Sequence, residues 1–260
     1  MRALLIFSIV CLISCRANGQ ETKKYSRLHY FYNSGWLIET DQHILIFDFI
    51  PNSAAGISLT TLQQKILDTK TNKRILIFVT HGHEDHFDES IFDLASRRNV
   101  SIILGWEPEK KPNIERLFVV KPGDSLISRN YAVYAHQATD EGSGLLVKID
   151  GLTIYHAGDH ALWAEALLTE FTDQLTYIKN KATAIDIAFL PAARGMFVKC
   201  VSDSLIEKGL KLSAEILKPA TLALQHIGCA DKLPQYQLIK ERLTAIKTNW
   251  VVPGKYDQSF

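Results

Sequence analysis

The stretch RILIFVTHGHEDH, residues 74–86, decides the predicted fold of this 260-residue chain. Residues 74–80 form a nearly all-apolar, β-branched run, which is typical of a strand covered on both faces. Residues 81–86 then bring three histidines and two carboxylates together in one short segment. Imidazole and carboxylate groups are ligands that zinc, manganese and iron(II) accept. The stretch therefore predicts a metal site where a buried strand ends.

The spacing of these side chains predicts that one loop serves two adjacent ions. His81 and His83 stand two residues apart, so they project to the same side of an extended chain. Asp85 and His86 lie beyond the turn and are free to point elsewhere. The helical zinc motif H-E-x-x-H is excluded, because Phe87 stands four residues after His83. A solvated, histidine-rich surface turn is the structural alternative, but it does not explain why a buried strand leads into this loop.

Strand and helix patterns alternate along the rest of the chain. Residues 28–40 and 43–48 predict an opening β-hairpin, and Ser204 with Glu207 predicts a capping box at the start of a helix. No glycine-rich phosphate loop follows the first strand. Sheets with helices outside them favour an α+β fold, an αββα sandwich, over a Rossmann fold. Apolar spacing predicts helices over residues 59–66, 88–97, 167–178, 204–218 and 233–246.

Composition and charge exclude several classes of protein. The chain is 47% apolar and 22% charged, as ordinary globular proteins are, which excludes a disordered or low-complexity chain. Twenty-nine basic and 28 acidic side chains leave a net charge of +1, so no overall field recruits nucleic acid. The predicted partner is a small-molecule substrate. An oxidising compartment would allow Cys200 and Cys229 to pair, a point that the sequence alone leaves open.

The N-terminus predicts export. Residues 1–15, MRALLIFSIVCLISC, place one arginine before an apolar run that is too short to span a bilayer but fits a secretory signal. Two processing sites are open: a lipobox-like ending that would leave a lipidated Cys15, or signal-peptidase cleavage between Gly19 and Gln20. The sequence therefore predicts a signal segment, residues 1–19, and a single domain, residues 20–260. The protein is expected either free in the bacterial periplasm or anchored to a membrane, with a lipid on Cys15 as its only membrane attachment.

The motif THGHEDHFD, residues 80–88, resembles the H-x-H-x-D-H signature of the metallo-β-lactamase superfamily. The branch to which the chain is most similar is the L-ascorbate-6-phosphate-lactonase-like group. The resemblance implies a four-layer fold with two mixed β-sheets flanked by helices. Further matching segments, in order along the chain, are residues 35–40, 44–48, 154–159 (IYHAGD), 186–191, 224–226 and 252–255.

The resemblance also implies a ligand set for two metal ions. His81 and His83 would bind the first ion, and Asp159 would bridge both. His136 would complete the first site, although residues 139–142 resemble a variant without this histidine. In that case Thr139, Asp140 or a water would fill the position. The ligands implied for the second ion are Asp85, His86, His226 and the bridging Asp159.

Three further side chains are candidates for roles behind the ligands. Asp48, at a strand end, would orient a ligand histidine or cap a turn. His156 and His160 flank Asp159 and would support the ligands, contact substrate, or serve the fold alone.

The function implied is that of an exported, metal-dependent hydrolase. Two divalent ions, zinc first and manganese or iron as alternatives, would activate a shared water to attack an ester, lactone, amide or phosphodiester bond. Asp85 would be the catalytic carboxylate, holding this water and transferring its proton. Arg194 and Lys199 would hold an anionic substrate group, or be solvated loop charges. The alternatives are a non-catalytic exported binding protein with the same fold and a true β-lactamase; the near-neutral charge and the signal disfavour a nuclease.

Overall fold

Two seven-stranded β-sheets make up the framework of the part of the chain that the structure describes. This structure is a computed structural model, and it describes residues 24–67, 72–110, 112–195 and 200–260. The predicted signal, residues 1–19 with Cys15, lies outside the described residues. No helix within the described ranges is long and apolar enough to cross a membrane.

The first sheet contains the strand that leads into the histidine-rich loop. Its strands β3 to β6 pair in parallel, while its other pairings are antiparallel. In spatial order the sheet consists of β14 (Gln258–Ser259), β1 (Arg27–Tyr30), β2 (Trp36–Glu39), β3 (His43–Phe47), β4 (Arg74–Val79), β5 (Val100–Leu104) and β6 (Leu117–Val119).

The second sheet repeats this mixture of parallel and antiparallel pairs. Strands β10 to β13 pair in parallel, and β7 to β10 pair antiparallel. In spatial order the sheet consists of β13 (Asn249–Val251), β12 (Thr221–Gln225), β11 (Ile187–Pro191), β10 (Leu152–His156), β9 (Ser143–Ile149), β8 (Tyr131–Gln137) and β7 (Ser125–Ile127).

The helices cover the outer faces of the sheets. Residues Glu89–Ser96, within the helix predicted over residues 88–97, form a 3₁₀ helix. The described α-helices are α1 (Leu59–Leu67), α2 (Leu168–Lys181), α3 (Ser204–Leu217) and α4 (Leu233–Arg242). Short 3₁₀ turns lie at Ser53–Ala55, Glu165–Leu167 and Ala230–Lys232.

The period-two alternation of the strands produces the four layers. In β4, Leu76 and Phe78 face the core between the two sheets, while Ile75, Ile77 and Val79 face the layer that contains α1. The apolar faces of α2 and α3 pack on β8 and β11 of the second sheet and belong to the same continuous cluster of buried residues. The order of layers is therefore helix, sheet, sheet, helix, and the predicted αββα sandwich is confirmed.

The parallel strands of both sheets end at the same edge of the sandwich. The histidine-rich loop follows β4, Asp48 follows β3, Asp159 follows β10 by a short turn, and His226 follows β12 directly. Loops at the carboxyl ends of parallel strands are where α/β folds place their ligand sites. The topology thus brings side chains that are far apart in the sequence to one edge.

Two local sequence predictions are wrong. Residues 28–40 are not one strand, because a tight turn at residues 31–35 divides them: Gly35 N–H donates to Tyr32 O at 2.7 Å, and Asn33 has φ +47°. Helix α3 is capped one residue earlier than predicted. The Asp203 carboxylate accepts the N–H groups of Leu205 and Ile206, so Ser204 is the first helical residue.

Candidate metal centre

Six of the seven predicted ligands converge between the two sheets. His81, His86, Asp85, Asp159 and His226 are buried, whereas the His83 side chain is 46% exposed. Their ligand atoms form three overlapping groups, each with all atoms within 4.8 Å of one another. The groups are His81 with Asp85 and His86, His81 with His83 and Asp159, and His86 with Asp159 and His226.

Asp159 lies at the centre of the cluster. Its Oδ1 is 3.0 Å from His86 Nε2 and 3.2 Å from His226 Nε2, and its Oδ2 is 3.4 Å from His81 Nε2. Asp85 Oδ2 lies 3.5 Å from His226 Nε2 on the other side. One carboxylate therefore faces histidines from both halves of the site, as the bridging role predicted for Asp159 requires.

The inward-facing atoms make no hydrogen bond of good geometry among the described residues, although His86 Nε2 and His226 Nε2 form ion pairs with Asp159 Oδ1. They are His81 Nε2, His86 Nε2, His226 Nε2 and Asp159 Oδ1, and all are buried. Orphaned buried polar atoms are rare and unfavourable in folded proteins. Imidazole nitrogens and a carboxylate oxygen directed at one point are the donor set that binds a divalent transition metal. The residues present therefore fit a metal site.

The outer nitrogen of each buried ligand histidine is used for orientation. His86 Nδ1 donates to Asp48 Oδ2 at 2.7 Å, His81 Nδ1 contacts Thr80 Oγ1 at 3.1 Å, and His226 Nδ1 donates to Ala193 O at 2.9 Å. With the proton on Nδ1, the lone pair of each Nε2 points into the cluster. The pattern is the support that metal-binding histidines usually have behind them.

Asp48 is the centre of this support. It is fully buried and also accepts the Thr80 N–H and the Thr80 hydroxyl, each at 2.8 Å. Burial alone would raise the pKa of the Asp48 carboxyl, but His156 and His86 hold it below its usual value. Asp48 is expected either to orient a ligand histidine or to cap a turn, and its hydrogen bond to His86 matches the first of these roles.

The charges of the cluster shift its titration strongly. Burial alone would raise the pKa of Asp159, but His86 and His226 hold it well below its usual value. Burial alone would lower the pKa of His226, but Asp159 and Asp85 raise it to about 9. The pKa of His86 is likewise raised, against burial, by Asp159 and Asp48. Without a metal ion, protons bound to His86 and His226 thus balance the negative charge of the carboxylates, as a bound metal ion would.

His156 and His160 lie behind the cluster rather than in it. His156 Nε2 donates to Ser34 O at 3.1 Å, and its ring stacks on Phe47. His160 Nε2 donates to Phe171 O at 3.1 Å, and its ring stacks on Phe171. Burial lowers the pKa of both histidines. Of the roles expected for His156 and His160, these contacts match a role in stabilising the fold.

His136 is the one predicted ligand that the structure does not bring to the cluster. Its Nδ1 donates to Gln137 O at 2.8 Å, and its Nε2 accepts the Tyr155 hydroxyl at 2.9 Å. Both ring nitrogens are therefore engaged, and burial lowers the pKa of His136 to about 4. Thr139, an alternative for the same position, uses its hydroxyl on the backbone of Ala161. A role of His136 in metal binding stays a prediction without a supporting contact.

A cleft of about 360 Å³ opens over the cluster. Its wall includes Arg194, whose Nε donates to Asp203 at 2.6 Å and whose Nη1 donates to Trp163 O at 3.1 Å. Lys199, the other predicted anion-binding side chain, lies outside the described residues. The residues that line the cleft are His83, Asp85, Asp140, Asp159, Trp163, Arg194, Gly195 and His226.

A disulfide ties together two segments that border this cleft. Cys200 and Cys229 are joined, so the segment after β11 is linked to the segment after β12, which contains His226. Gly195 packs on the His226 ring, where an added Cβ would lie 2.6 Å from Cε1. The pairing that the sequence left open is therefore present, close to a ligand.

Two contributors to the site are not evident in the sequence. Asn33 donates from Nδ2 to Asp85 O at 2.8 Å, and its own backbone O accepts from His226 N at 3.1 Å. Glu141 places Oε2 2.7 Å from His83 Nε2. Asn33 lies in a turn that the sequence pattern predicts as strand. Glu141 lies in the hairpin segment 139–142, for which the resemblance names Thr139, Asp140 or a water and not Glu141.

A second cleft, of about 380 Å³, lies at the opposite ends of β3 and β4. There His43 Nδ1 pairs with Asp150 at 2.8 Å and Lys73 Nζ pairs with Glu39 at 2.9 Å. His43 and Lys73 of this cleft are thus each paired with a carboxylate, and none of the metal-ligand groups found among the described residues lies there. The chemistry belongs to the first cleft.

Comparison with known proteins agrees with this site. No known family profile matches the chain. The chain is 30% identical over 190 residues to a UPF0173 metal-dependent hydrolase of Bacillus licheniformis, which covers 64% of this chain and 72% of that protein. It is 25% identical over 247 residues to a UPF0173 metal-dependent hydrolase of Thermococcus kodakarensis, which covers 88% of this chain and 97% of that protein.

A solved structure matches the architecture. The metallo-beta-lactamase fold protein YhfI from Bacillus subtilis aligns with a TM-score of 0.58 at 10% identity, over 90% of this chain and 99% of that one. At this identity the likeness establishes the fold. The predicted metallo-β-lactamase fold is confirmed.

We expect Asp48→Asn to weaken metal binding about 10- to 100-fold, the usual effect of losing a group that orients a ligand. Asparagine tolerates the left-handed backbone at this position, φ +41°, but its amide would face the donors of Thr80 and His86. Competition with a chromophoric chelator measures the affinity. Asp186→Asn is the matched control, because the Asp186 carboxylate accepts the Thr153 N–H and pairs with Lys24 Nζ at the far end of the sheet, away from the ligands. Unchanged affinity in Asp48→Asn would contradict the orienting role.

Metal binding should release protons and strengthen as the pH rises. A metal needs neutral imidazole, and the pKa of His226 is raised from 6.5 to about 9, so affinity should increase from pH 6.5 to 9. The stability of the metal-stripped protein should depend on pH in the opposite direction and fall as the pH rises. A raised folded-state pKa contributes stability below about pH 6.5 that is lost as the pH rises through 9. Calorimetric metal titrations in buffers of different ionisation enthalpy count the protons, and His226→Asn should release fewer; an affinity independent of pH would refute this expectation.

Proposed function

The chain belongs to the UPF0173 metal-dependent hydrolase family, and we propose that it is an exported hydrolase of a small substrate that works with two divalent ions. Zinc is the first candidate, with manganese or iron(II) as alternatives. The observation that carries the proposal is the set of four buried ligand atoms without a hydrogen bond of good geometry, which converge from both sheets below an open cleft. Within the superfamily, the lactonase-like branch is the finer assignment that we propose, because the whole set of matching segments is most similar to it.

Two overlapping groups of ligands would hold the ions. His81, His83 and Asp159 form one group, and His86, Asp159 and His226 form another, with Asp85 at its edge. When bound there, two divalent ions polarise a carbonyl or phosphoryl group and lower the pKa of an attacking water. Sharing of Asp159 between the groups supports a pair of ions rather than a single one.

Asp85 is the chain's own group best placed to handle the proton of the attacking water. It lines the cleft, and its backbone carbonyl is held by Asn33 Nδ2. Burial alone would raise the pKa of Asp85, but His226 and His86 lower it, so the carboxylate is ionised and able to accept a proton at neutral pH. After bond cleavage the same carboxyl would return that proton to the leaving group.

The cleft wall supports an anionic group on the substrate. Arg194 uses Nε and Nη1 on Asp203 and Trp163, which leaves Nη2 without a contact among the described residues. A guanidinium held in this way is preorganised for carboxylate or phosphate. Trp163 closes the same side of the cleft with an apolar ring, and its Nε1 is anchored on Asp159 O at 2.9 Å.

The disulfide supports export. Cys200 and Cys229 are joined by a disulfide. Disulfides persist in oxidising compartments and are rare in the cytosol. Together with the signal-like residues 1–15 this favours the periplasm, either free or through a lipid on Cys15.

Hydrolysis should depend on bound metal and on Asp85. We expect the zinc- or manganese-loaded protein to cleave at least one member of a panel of lactones, aryl esters, phosphodiesters and nitrocefin, and the chelated protein to cleave none. Asp85→Asn should lower kcat about 10²- to 10⁴-fold, since general acid–base groups contribute that much, while Asp173→Asn on the exposed side of α2 should not.

The panel also separates the alternatives. Tight metal binding without any hydrolysis would favour the non-catalytic binding protein, and cleavage of nitrocefin above all others would favour a β-lactamase. Full activity in the chelated protein would refute the proposal.

Export should remove the N-terminal segment. Mass spectrometry of the protein from its native cell should find a chain that starts at Gln20, or at a Cys15 whose mass is increased by lipid. Non-reducing digestion should show the linked Cys200 and Cys229 peptides. An intact Met1 chain as the sole species, with both cysteines reduced, would overturn the export proposal.

A further inference from the structure

We propose that Glu141 is a metal ligand that completes the first site in the place where the family pattern implies His136. The observation is the approach of Glu141 Oε2 to 2.7 Å from Nε2 of His83, a residue that forms a ligand group with His81 and Asp159. The proposal rests on the proposed metal-binding function and names the third protein side chain of its first site.

The first site lacks a third terminal ligand without Glu141. His81 and His83 share that group with the bridging Asp159. His136 cannot supply the missing donor as it stands, because its Nε2 lone pair already accepts the Tyr155 hydroxyl. The unpartnered, buried Nε2 of His81 points into this site independently of Glu141.

The loop that carries Glu141 is fixed directly on the strand that leads into His81. Ser143 N–H donates to Thr80 O at 3.1 Å. Gly142, with φ +70°, passes so close that an added Cβ would lie 2.3 Å from His81 Cβ. On the other side of the loop, the Thr139 hydroxyl donates to Ala161 O at 2.6 Å. The position of Glu141 beside His83 is therefore set by backbone contacts at both ends of the loop.

The contact itself has little value as a structural ion pair. The side chains of His83 and Glu141 are 46% and 54% exposed, and exposed pairs contribute about 0–1 kcal/mol. As ligands of an octahedral ion such as manganese or iron(II), by contrast, the two groups are suitably spaced. Donors held at about 2.1 Å in an octahedron lie about 3 Å apart, whereas the same bond length in a tetrahedron leaves donors about 3.4 Å apart.

A carboxylate in place of an imidazole has a chemical consequence. It adds a negative charge and a hard oxygen donor to a site that would otherwise have three nitrogens besides the bridge, and such donors favour manganese and iron(II) more than imidazole does. With Glu141, each site would hold two imidazoles, one terminal carboxylate and the shared Asp159, so the two ions should be similar in their zinc selectivity.

Metal counting on three variants tests the proposal. After dialysis against a chelator of moderate affinity, elemental analysis should find two ions per wild-type chain and about one in Glu141→Gln. The affinity of the weaker site should fall at least about 10-fold, as expected for loss of a ligand. Glu215→Gln is the matched control, because Glu215 is 55% exposed and lies on α3. His136→Ala should keep two ions.

The outcomes are distinct. Two ions bound by Glu141→Gln at wild-type affinity would overturn the role of Glu141, as would loss of an ion from folded His136→Ala alone. A wild-type chain that binds no transition metal would instead overturn the proposed function. Circular dichroism shows which variants are folded, and since Glu141 is exposed its substitution leaves the core intact.

Discussion

The buried Asp48 carboxylate is the interaction on which the site depends. It accepts two hydrogen bonds from Thr80 at the end of β4 and one from His86 beyond the turn. One anion at the end of β3 thus fixes both ends of the segment that carries the three loop histidines. Because the carboxylate is fully buried, leaving any of these donors unpaired would be unfavourable. The hydrogen bonds of Asp48 therefore hold the ligand loop and also join the ends of the neighbouring strands β3 and β4.

The sequence predicts most of the fold, and the errors have local physical causes. Alternation and buried runs identify the central strands, since each face of a strand meets an apolar layer. The sequence pattern predicts strand throughout residues 28–40, whereas the turn at residues 31–35 depends on the conformation of Asn33 and on the close approach of Gly35 to Tyr32 O. Asp203 and Ser204 are both good caps, and only the backbone shows that Asp203 is used.

The site is predictable where its ligands are dense and obscure where they are isolated. The loop histidines follow from a short motif, and Asp159 and His226 follow from segments that resemble a known family. His136 could not be judged from sequence, because Tyr155 reaches its ring from a different strand of the sheet. Glu141 is obscure for the same reason, because His83, its neighbour in space, lies far away in the sequence.

The division of the ligands between the sheets has a consequence for the whole domain. The loop histidines extend from the first sheet, while Asp159 and His226 extend from the second. A bound ion would act as a crosslink across the inner core, and its binding free energy would become part of the free energy of unfolding. At a free metal concentration 100 times the Kd, this linkage amounts to about 2.7 kcal/mol. The metal supply of the compartment would then regulate how long the domain survives, as well as what it catalyses.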